Sequence, residues 1–385
     1  MSRPGVNTGF LSDQQVDMIA TRLARRLSAQ PKSIVTATPE PVMTPRSPSV
    51  KARGDGIFST VDEAVDAAGV AYRELDGMPL QGRQKIIASI RETMFEHAEE
   101  LARHAHSETG LGRVEHKLIK NRLVTRKTSG TEVLTPQTVT GDDGLTLTEY
   151  APYGVIGAIT PTTNPTSTII CNTIAMLSAG NSVVFNVHPG ARECSMANIR
   201  LLNSAIIRGG GPANLVTAVG EPTIETAQEL MGHDGVRLLA VTGGSGVVRQ
   251  AMTSGKRAIC AGPGNPPVVV DATADLEHAA CSIIAGASFD NNIVCIDEKE
   301  VIAVESIVEE LLQQMGRHGA YILTDAELQR VEEVIFSESR GPRRRAVVEK
   351  NLIGKNASVI LGEAGIPCAG DPPLLVARVA NDHPL

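Results

Sequence analysis

Cys295 and Asn164 are the residues of this chain whose side chains best suit reaction at a carbonyl carbon. A thiolate attacks an electrophilic carbonyl such as that of an aldehyde, and a fixed amide stabilises the oxygen that becomes negative. Cys295 follows the polar turn formers Asp-Asn-Asn at 290–292, which predicts an exposed loop rather than a core position. Asn164 lies between Pro161 and Pro165, and two prolines would make that turn rigid enough to hold an amide in place.

Both residues also admit a structural interpretation. A lone cysteine is most often a small buried side chain, and an asparagine ahead of a helix often caps that helix. The six cysteines show no CxxC pair and no metal-ligand spacing, so no metal site is predicted and reduced thiols of the cytoplasm are expected. Cys171, Cys260 and Cys281 fall within apolar periodic segments and are interpreted as packing residues.

Two segments between strands and helices could contact a phosphate-bearing ligand. Residues 242–246, Thr-Gly-Gly-Ser-Gly, end a predicted strand and open a helix, where glycines allow a phosphate to approach the helix N-terminus. The spacing is not GxGxxG, so this segment alone indicates a dinucleotide only weakly. Residues 186–190, Asn-Val-His-Pro-Gly, end another strand and could face an adenosine ribose. His188 is a possible base, although a histidine at a strand end is more often structural.

Apolar strands alternate with helices from residue 155 onward. This alternation predicts an α/β fold with a parallel sheet covered on both faces and a ligand site at the carboxyl edge of its strands. The predicted strands are 155–160, 182–187, 214–219, 236–242, 258–261 and 268–271. The predicted helices between them are 166–179, 191–207, 222–231 and 245–254, and a capped helix from Thr60 to Leu75 and one long helix at 81–106 precede the sheet.

Composition limits the classes of partner. A net charge of -7 provides no domain-wide basic field, so nucleic acid is not expected as the main partner. No apolar stretch reaches the roughly 18 residues that span a bilayer, and the amino terminus lacks an apolar signal core, so neither membrane insertion nor export is expected. A chain of 385 residues exceeds one ordinary domain, so two or more lobes are expected.

The first 55 residues differ in texture from the rest. Residues 1–28 predict an amphipathic helix opened by a capping box at Ser12, and residues 29–55 predict a linker rich in proline and serine. A short amphipathic helix on a flexible linker is expected to dock on another protein, on a similar helix or on a membrane surface. Packing on its own globular body is the alternative.

Several motifs in order resemble the CoA-acylating aldehyde dehydrogenases, in the branch of bacterial microcompartments for ethanolamine or propanediol use. They are residues 150–165, 181–186, 241–244, 261–271 and 287–292 with Cys295. The resemblance implies an aldehyde dehydrogenase-like fold, with a Rossmann-like parallel-sheet cofactor domain at 56–270 and an α/β catalytic domain at 271–385. It also implies an oligomerisation arm that starts near 135–150 and forms a homodimer or homotetramer.

The resemblance also assigns roles to individual residues. It makes Cys295 the nucleophile and Asn164 the amide of the oxyanion hole. It implies NAD as cofactor, with NADP left open because Asn186 matches a lysine that holds the ribose in hydrolytic relatives. The residues expected to contact the cofactor are Thr160, Pro161, Thr162, Asn186, His188, Pro189, Thr242, Gly243, Gly244, Ser245, Ala261 and Gly262.

The resemblance favours CoA as the acyl acceptor. Hydrolytic relatives carry a glutamate that activates water, whereas residues 261–264 here read Ala-Gly-Pro-Gly. The chain is therefore expected to convert acetaldehyde or propionaldehyde to acyl-CoA in a microcompartment lumen, with residues 1–28 docking on shell proteins. The alternatives are a hydrolysing dehydrogenase and an inactive shell-binding fragment, because relatives continue beyond a motif like 382–384 and the catalytic domain is expected to be incomplete.

Overall fold

A computed structural model describes residues 55–339, 344, 346–380 and 382–384. The predicted helix at 1–28 lies outside these residues, as does the predicted linker up to residue 54. The strands of the first part are β1 (Ile57–Phe58), β2 (Gln137–Gly141), β3 (Gly144–Thr148), β4 (Val155–Ile159), β5 (Ser182–Asn186), β6 (Val216–Val219), β7 (Leu238–Thr242) and β8 (Ala258–Ala261). Six of them form a parallel sheet in the order β1-β6-β5-β4-β7-β8, and β2 and β3 form an exposed antiparallel hairpin.

Helices cover both faces of the six-stranded sheet. They are α1 (Val61–Asp76), α2 (Leu80–Glu96), α3 (Ala98–Thr109), α4 (Val114–Lys127), α5 (Pro165–Ser178), α6 (Arg192–Arg208), α7 (Ile224–Gly232) and α8 (Ser245–Thr253). Apolar side chains of α2, α3, α5, α6 and the end of α1 form one core with the sheet, and those of α7, α8 and the first part of α1 form a second. Strands β4 and β5 are buried at every residue, as expected for a parallel sheet covered on both faces. The predicted α/β fold is confirmed.

The single helix predicted at 81–106 is wrong. The structure breaks it at His97, whose ψ of 7° ends α2 while its backbone N–H still donates to the Thr93 carbonyl. Both pieces contribute to the core that α2 forms with the sheet, through Ile90 of α2 and Leu101 of α3, and Ala105 of α3 also packs against Ala191. The pattern also failed to predict α4, which follows Gly110 and Gly112.

The second part of the chain contains short sheets and four helices in the described residues. Its strands are β9 (Pro267–Val270), β10 (Glu300–Ala303), β11 (Tyr321–Ile322), β12 (Phe336–Glu338), β13 (Val347–Val348) and β14 (Leu375–Val376). Its helices are α9 (Leu276–Ala287), α10 (Val308–Arg317), α11 (Asp325–Ile335) and α12 (Ala357–Glu363). Strand β9 pairs in parallel with β10 rather than with the six-stranded sheet. Strand β9 falls within the predicted cofactor domain and pairs with a strand of the predicted catalytic domain.

No helix among the described residues is long and apolar enough to cross a bilayer.

Candidate active site

The carboxyl ends of four neighbouring strands bring most of the predicted cofactor residues to one edge of the sheet. Ile159 at the end of β4 pairs with Asn186 of β5 on one side and with Val241 of β7 on the other. Thr242 of β7 in turn pairs with Ala261 of β8. The turns that follow β4, β5, β7 and β8 therefore lie side by side, as predicted for a ligand site in a parallel sheet.

The turn after β7 offers bare backbone to a ligand. Gly244, Ser245 and Gly246 are exposed, and a methyl group added at Gly244 or Gly246 would meet nothing within 4 Å. The N–H of Gly243 donates to the Ala261 carbonyl at 3.1 Å, which fixes the turn to the end of β8. Since Gly244 lies directly ahead of α8, a pyrophosphate could reach free N–H groups at the positive end of that helix. The residues present thus fit a dinucleotide.

Of the predicted cofactor residues, Asn186 is engaged elsewhere. Its side chain is buried, donates to the Thr223 carbonyl at 3.4 Å and accepts from the Thr226 hydroxyl at 2.7 Å. Those contacts fasten the capped N-terminus of α7, and the contact of Asn186 with a cofactor stays a prediction. Thr160 is also buried, and its hydroxyl has no hydrogen-bond partner among the described residues.

The turn after β5 is more open. His188 and Pro189 are exposed, and the His188 Nδ1 accepts a hydrogen bond from the Gly190 N–H at 3.0 Å. This contact caps the short turn 189–191, which agrees with the structural interpretation of His188 rather than with a role as base. Thr162 lies close by, with its hydroxyl 3.8 Å from where a side chain on Gly190 would begin.

Asn164 does not cap α5. The residue precedes that helix with φ of -133° and ψ of 54°, and its side chain makes no capping hydrogen bond. Its Oδ1 instead accepts from the Lys120 ammonium at 2.5 Å, and its Nδ2 donates to the Thr163 hydroxyl at 3.2 Å. The alternative of a simple helix cap is thus excluded by the geometry, and the amide is held from the side of α4.

A buried ion cluster stands behind Asn164. The Asp290 carboxylate is fully buried and accepts hydrogen bonds from Lys117 Nζ at 3.2 Å and from Lys120 Nζ. Lys117 also donates to the Thr163 carbonyl at 3.4 Å. Burial lowers the pKa of Lys120, and the Asp290 charge acts in the opposite direction. The cluster joins α4, the turn after β4 and the loop that carries Cys295.

Gly112 makes room for the Asp290 carboxylate. A side chain there would begin 2.0 Å from Asp290 Oδ1, and its φ of 69° favours glycine. The next residue, Arg113, donates its backbone N–H to the same oxygen at 2.8 Å. The Asp290 N–H donates to His116 Nδ1 at 2.8 Å, and burial lowers the pKa of His116, which favours the neutral ring that can accept.

The loop ahead of Cys295 is locked in an uncommon conformation. Asp290, Asn291 and Asn292 are consecutive left-handed residues with φ of 48°, 55° and 60°. Such residues cost free energy and persist where surrounding contacts hold them, often at functional sites. Asn291 accepts from the Arg113 side chain at 2.7 Å, and Asn292 donates to the carbonyls of Ala287 and Glu298 at 2.6 and 3.0 Å.

Cys295 itself is half-buried, in agreement with the predicted loop position. Its carbonyl oxygen lies 2.1 Å from where a side chain on Gly264 would begin, so only glycine allows this close approach. Lys299 donates to the carbonyls of Asn292 and Val294, both at 3.2 Å, and so ties the two ends of this part of the loop together. Burial raises the pKa of the nearby Asp297 to about 6.

Contacts therefore join Asn164 to the loop that carries Cys295. Lys120 reaches both Asn164 and Asp290, and Asp290 begins the locked turn that leads to Cys295. Sequence reasoning missed Lys117 and Lys120. Their spacing of three residues on a helix was the available signal, but polar side chains at helical spacing ordinarily face solvent. No group of three or more metal-ligating side chains occurs among the described residues.

A profile of the aldehyde dehydrogenase family matches residues 49–363, most of the chain. The chain belongs to the aldehyde dehydrogenase family. It is 46% identical over 339 residues to the acetaldehyde dehydrogenase (acetylating) EutE of Escherichia coli, which covers 88% of this chain and 72% of that protein. It is 45% identical over 352 residues to the propanal dehydrogenase (CoA-propanoylating) of Salmonella typhimurium, which covers 91% of this chain and 74% of that protein.

Solved structures of aldehyde dehydrogenases agree with this chain in fold. A propionaldehyde dehydrogenase of Rhodopseudomonas palustris, with bound CoA and an acylated cysteine, has a TM-score of 0.82 at 45% identity and covers 86% of this chain and 74% of its own. A propionaldehyde dehydrogenase from a fucose utilisation microcompartment of Clostridium phytofermentans has a TM-score of 0.81 at 44% identity over the same shares. An engineered glycolyl-CoA reductase with bound NADP+ has a TM-score of 0.82 at 45% identity, again over the same shares. The predicted CoA-acylating branch of the aldehyde dehydrogenases is confirmed.

Proposed function

We propose that the chain oxidises a short-chain aldehyde to acyl-CoA with NAD or NADP, through a thioester on Cys295. The observation that carries the proposal is the network that joins the Cys295 loop to the Asn164 amide through Asp290 and Lys120. Relatives at 45–46% identity that act as acetylating and CoA-propanoylating dehydrogenases support the reaction class. Acetaldehyde and propionaldehyde differ by one methylene, and both remain candidate substrates.

The first half-reaction forms the thioester. The Cys295 thiolate attacks the carbonyl carbon, and the electron pair of the C=O bond moves to the oxygen, which accepts a hydrogen bond from the Asn164 amide. As the C=O bond reforms, the carbon loses a hydride. A nicotinamide cofactor held at the turns after β4, β5, β7 and β8 would supply the hydride acceptor. Gly243, Gly244 and Ser245 would hold its pyrophosphate, with Ala261 and Gly262 beside them.

The second half-reaction transfers the acyl group. The thiolate of CoA attacks the thioester, and the Cys295 thiolate leaves with the electron pair of the S–C bond. The segment 261–264 supports this outcome over hydrolysis. It lies against the Cys295 backbone through Gly264 and contains no carboxylate that could activate water. The thioester is therefore expected to persist until CoA arrives.

The test is NADH formation with and without CoA in the purified chain. We expect steady NADH formation only when aldehyde, NAD and CoA are all present, and its complete loss in Cys295→Ala. Cys281→Ala is the matched control, because that cysteine is exposed on α9 and has no place in the mechanism. Steady NADH formation without CoA would favour the hydrolysing alternative. NADH formation that survives Cys295→Ala would refute the nucleophile.

Two further partners are expected: a second copy of the chain and the shell proteins of a microcompartment. We infer that the β2–β3 hairpin contacts a second copy of the chain, since Val139, Leu145 and Leu147 on it are 70%, 66% and 55% exposed. Light scattering on a Val139→Lys, Leu147→Lys variant should show a smaller assembly than wild type.

We also infer that residues 1–28 dock on microcompartment shell proteins, which would place the chain in the lumen. The predicted amphipathic pattern supports this, and so does the microcompartment relative. A fluorescent protein fused to residues 1–28 should enter the compartments, and a fusion with its apolar residues changed to serine should stay outside.

A further inference from the structure

The cluster of Lys117, Lys120 and Asp290 is an unusual group to bury. Lys117, Lys120 and Asp290 are only 2%, 8% and 0% exposed. Taking charges out of water is costly in free energy, and apolar residues of similar volume are often as stable in such positions. A buried ion cluster is therefore weak evidence for stability, and its position suggests that it serves the neighbouring site.

Two ammonium groups share one carboxylate, which leaves one positive charge in excess. Lys120 directs its remaining hydrogen-bonding capacity at the Asn164 Oδ1 atom at 2.5 Å. An ammonium group can only donate hydrogen bonds. It therefore cannot bond to the flipped amide, which would present the donor Nδ2 to it. Lys120 therefore fixes which end of the amide faces the interior.

The fixed orientation leaves an N–H group available on the other side. Among the described residues, the Thr163 hydroxyl is the one acceptor within hydrogen-bond distance of Nδ2, at 3.2 Å. Nδ2 carries two hydrogens, so one of them stays free for a ligand oxygen. A cation on the amide oxygen also polarises the group, and hydrogen-bond chains of this kind strengthen each other where water is excluded.

We propose that Lys120 is a positioning residue for the reaction: it holds the Asn164 amide with an N–H toward the developing oxyanion, while Asp290 holds Lys120. This inference rests on the proposed function, because it assumes that Asn164 serves the oxyanion. Lys120 touches no substrate in this arrangement and acts through Asn164. Lys117 holds the same carboxylate but contacts the Thr163 backbone instead of the amide.

The test is a double-mutant cycle between Lys120 and Asn164, read by the rate of the first NADH burst. We expect Lys120→Met to slow the burst by about 10- to 100-fold, less than the roughly 100- to 1,000-fold lost with a whole oxyanion donor. In an Asn164→Ala background the same change should cost less than about threefold, because residues that act through each other are not additive. Equal losses in both backgrounds would overturn the proposal.

Alkylation of Cys295 by iodoacetamide supplies the second readout. That reaction forms no oxyanion, so its rate should stay within about twofold of wild type in Lys120→Met. A parallel fall in alkylation would show that Lys120 acts on the thiol or on the fold, and would overturn the proposal. Lys117→Met is the matched control: it breaks the same ion cluster, and its smaller effect on the burst should be unchanged in the Asn164→Ala background.

Two further measurements separate a folding failure, or a failure of the proposed function, from a failure of the role of Lys120. If Lys120→Met does not fold, Lys120→Gln stays polar but is neutral and one atom shorter, and the same cycle should show a smaller loss that is still non-additive. Wild type decides the proposed function separately. A wild type that forms no NADH from aldehyde overturns both proposals, whereas an active wild type with an additive cycle overturns only the role of Lys120.

Discussion

The turns after β4 and β7 are adjacent at one sheet edge, yet they are built in opposite ways. The turn after β4 carries Asn164, whose side chain is held by a buried ammonium group and a hydroxyl. The turn after β7 is exposed glycine and serine with open space around Gly244 and Gly246.

This difference follows from what each turn is proposed to bind. A developing oxyanion needs one donor at one position, so a side chain must be oriented before the substrate arrives. A pyrophosphate can be held by several backbone N–H groups, so the best preparation is the absence of side chains. The turn after β4 therefore positions its hydrogen-bond donor through side-chain contacts, whereas the turn after β7 offers donors of its backbone.

The largest effect is expected from the carboxylate that supports the first turn. Asp290→Asn leaves two buried ammonium groups without their counter-charge, and breaking a buried pair costs about 3–5 kcal/mol. Urea unfolding should show that loss in the free energy of unfolding. The control is Glu99→Gln, which breaks the exposed pair with Arg103 and should cost below about 1 kcal/mol. A loss below about 1 kcal/mol in Asp290→Asn would contradict the description of the cluster.

Removing the held amide tests the first turn directly. Asn164→Ala should lower kcat/KM for the aldehyde by about 10²–10³, or roughly 3–4 kcal/mol, because the oxyanion loses a fixed donor. The affinity for NAD, measured by fluorescence titration, should change little. If the two turns were not separate in function, both quantities would fall together.

Adding one methyl group tests the second turn. Gly244→Ala meets no atom within 4 Å, so thermal stability should be unchanged, while KM for NAD rises about tenfold because the methyl occupies the phosphate position. Gly232→Ala is the control, since that glycine is equally open but ends α7 at the other edge of the sheet. An unchanged KM in Gly244→Ala would remove the turn from the cofactor site.

The smallest effect concerns the Cys295 loop and depends on pH. The pKa of Asp297 rises from 3.8 to about 6 on folding, so between these values the folded chain keeps a proton that the unfolded chain has lost. The stability from this group is complete below about pH 4 and is lost as pH rises through 6. Asp297→Asn should therefore gain stability relative to wild type across that window, by about 1 kcal/mol at neutral pH. A difference in melting temperature that does not vary with pH would contradict the raised pKa.

The sequence predicted the sheet well because apolar strands and capped helices are local patterns. Cys295 and Asn164 could be chosen from residue type, turn context and family resemblance. The link between them could not, because Lys120 and Asp290 are 170 residues apart in the chain. Asn186 was assigned to the cofactor because it ends a strand and matches a ribose-holding lysine of relatives, and its contacts with Thr223 and Thr226 at the α7 N-terminus could not be predicted from the sequence. The break at His97 was missed because apolar residues recur at helical spacing on both sides of it, and both helices contribute to one core.

The most direct test of the proposed thioester on Cys295 is a single-turnover reaction of wild type with aldehyde and NAD in the absence of CoA. The reaction is quenched in acid and the acylated peptide is identified by mass spectrometry. We expect about one NADH per active site, one acyl group on the peptide that contains Cys295, and release of that group as acyl-CoA once CoA is added. Continuous NADH formation with free acid as product, or an acyl group on another cysteine, would contradict it.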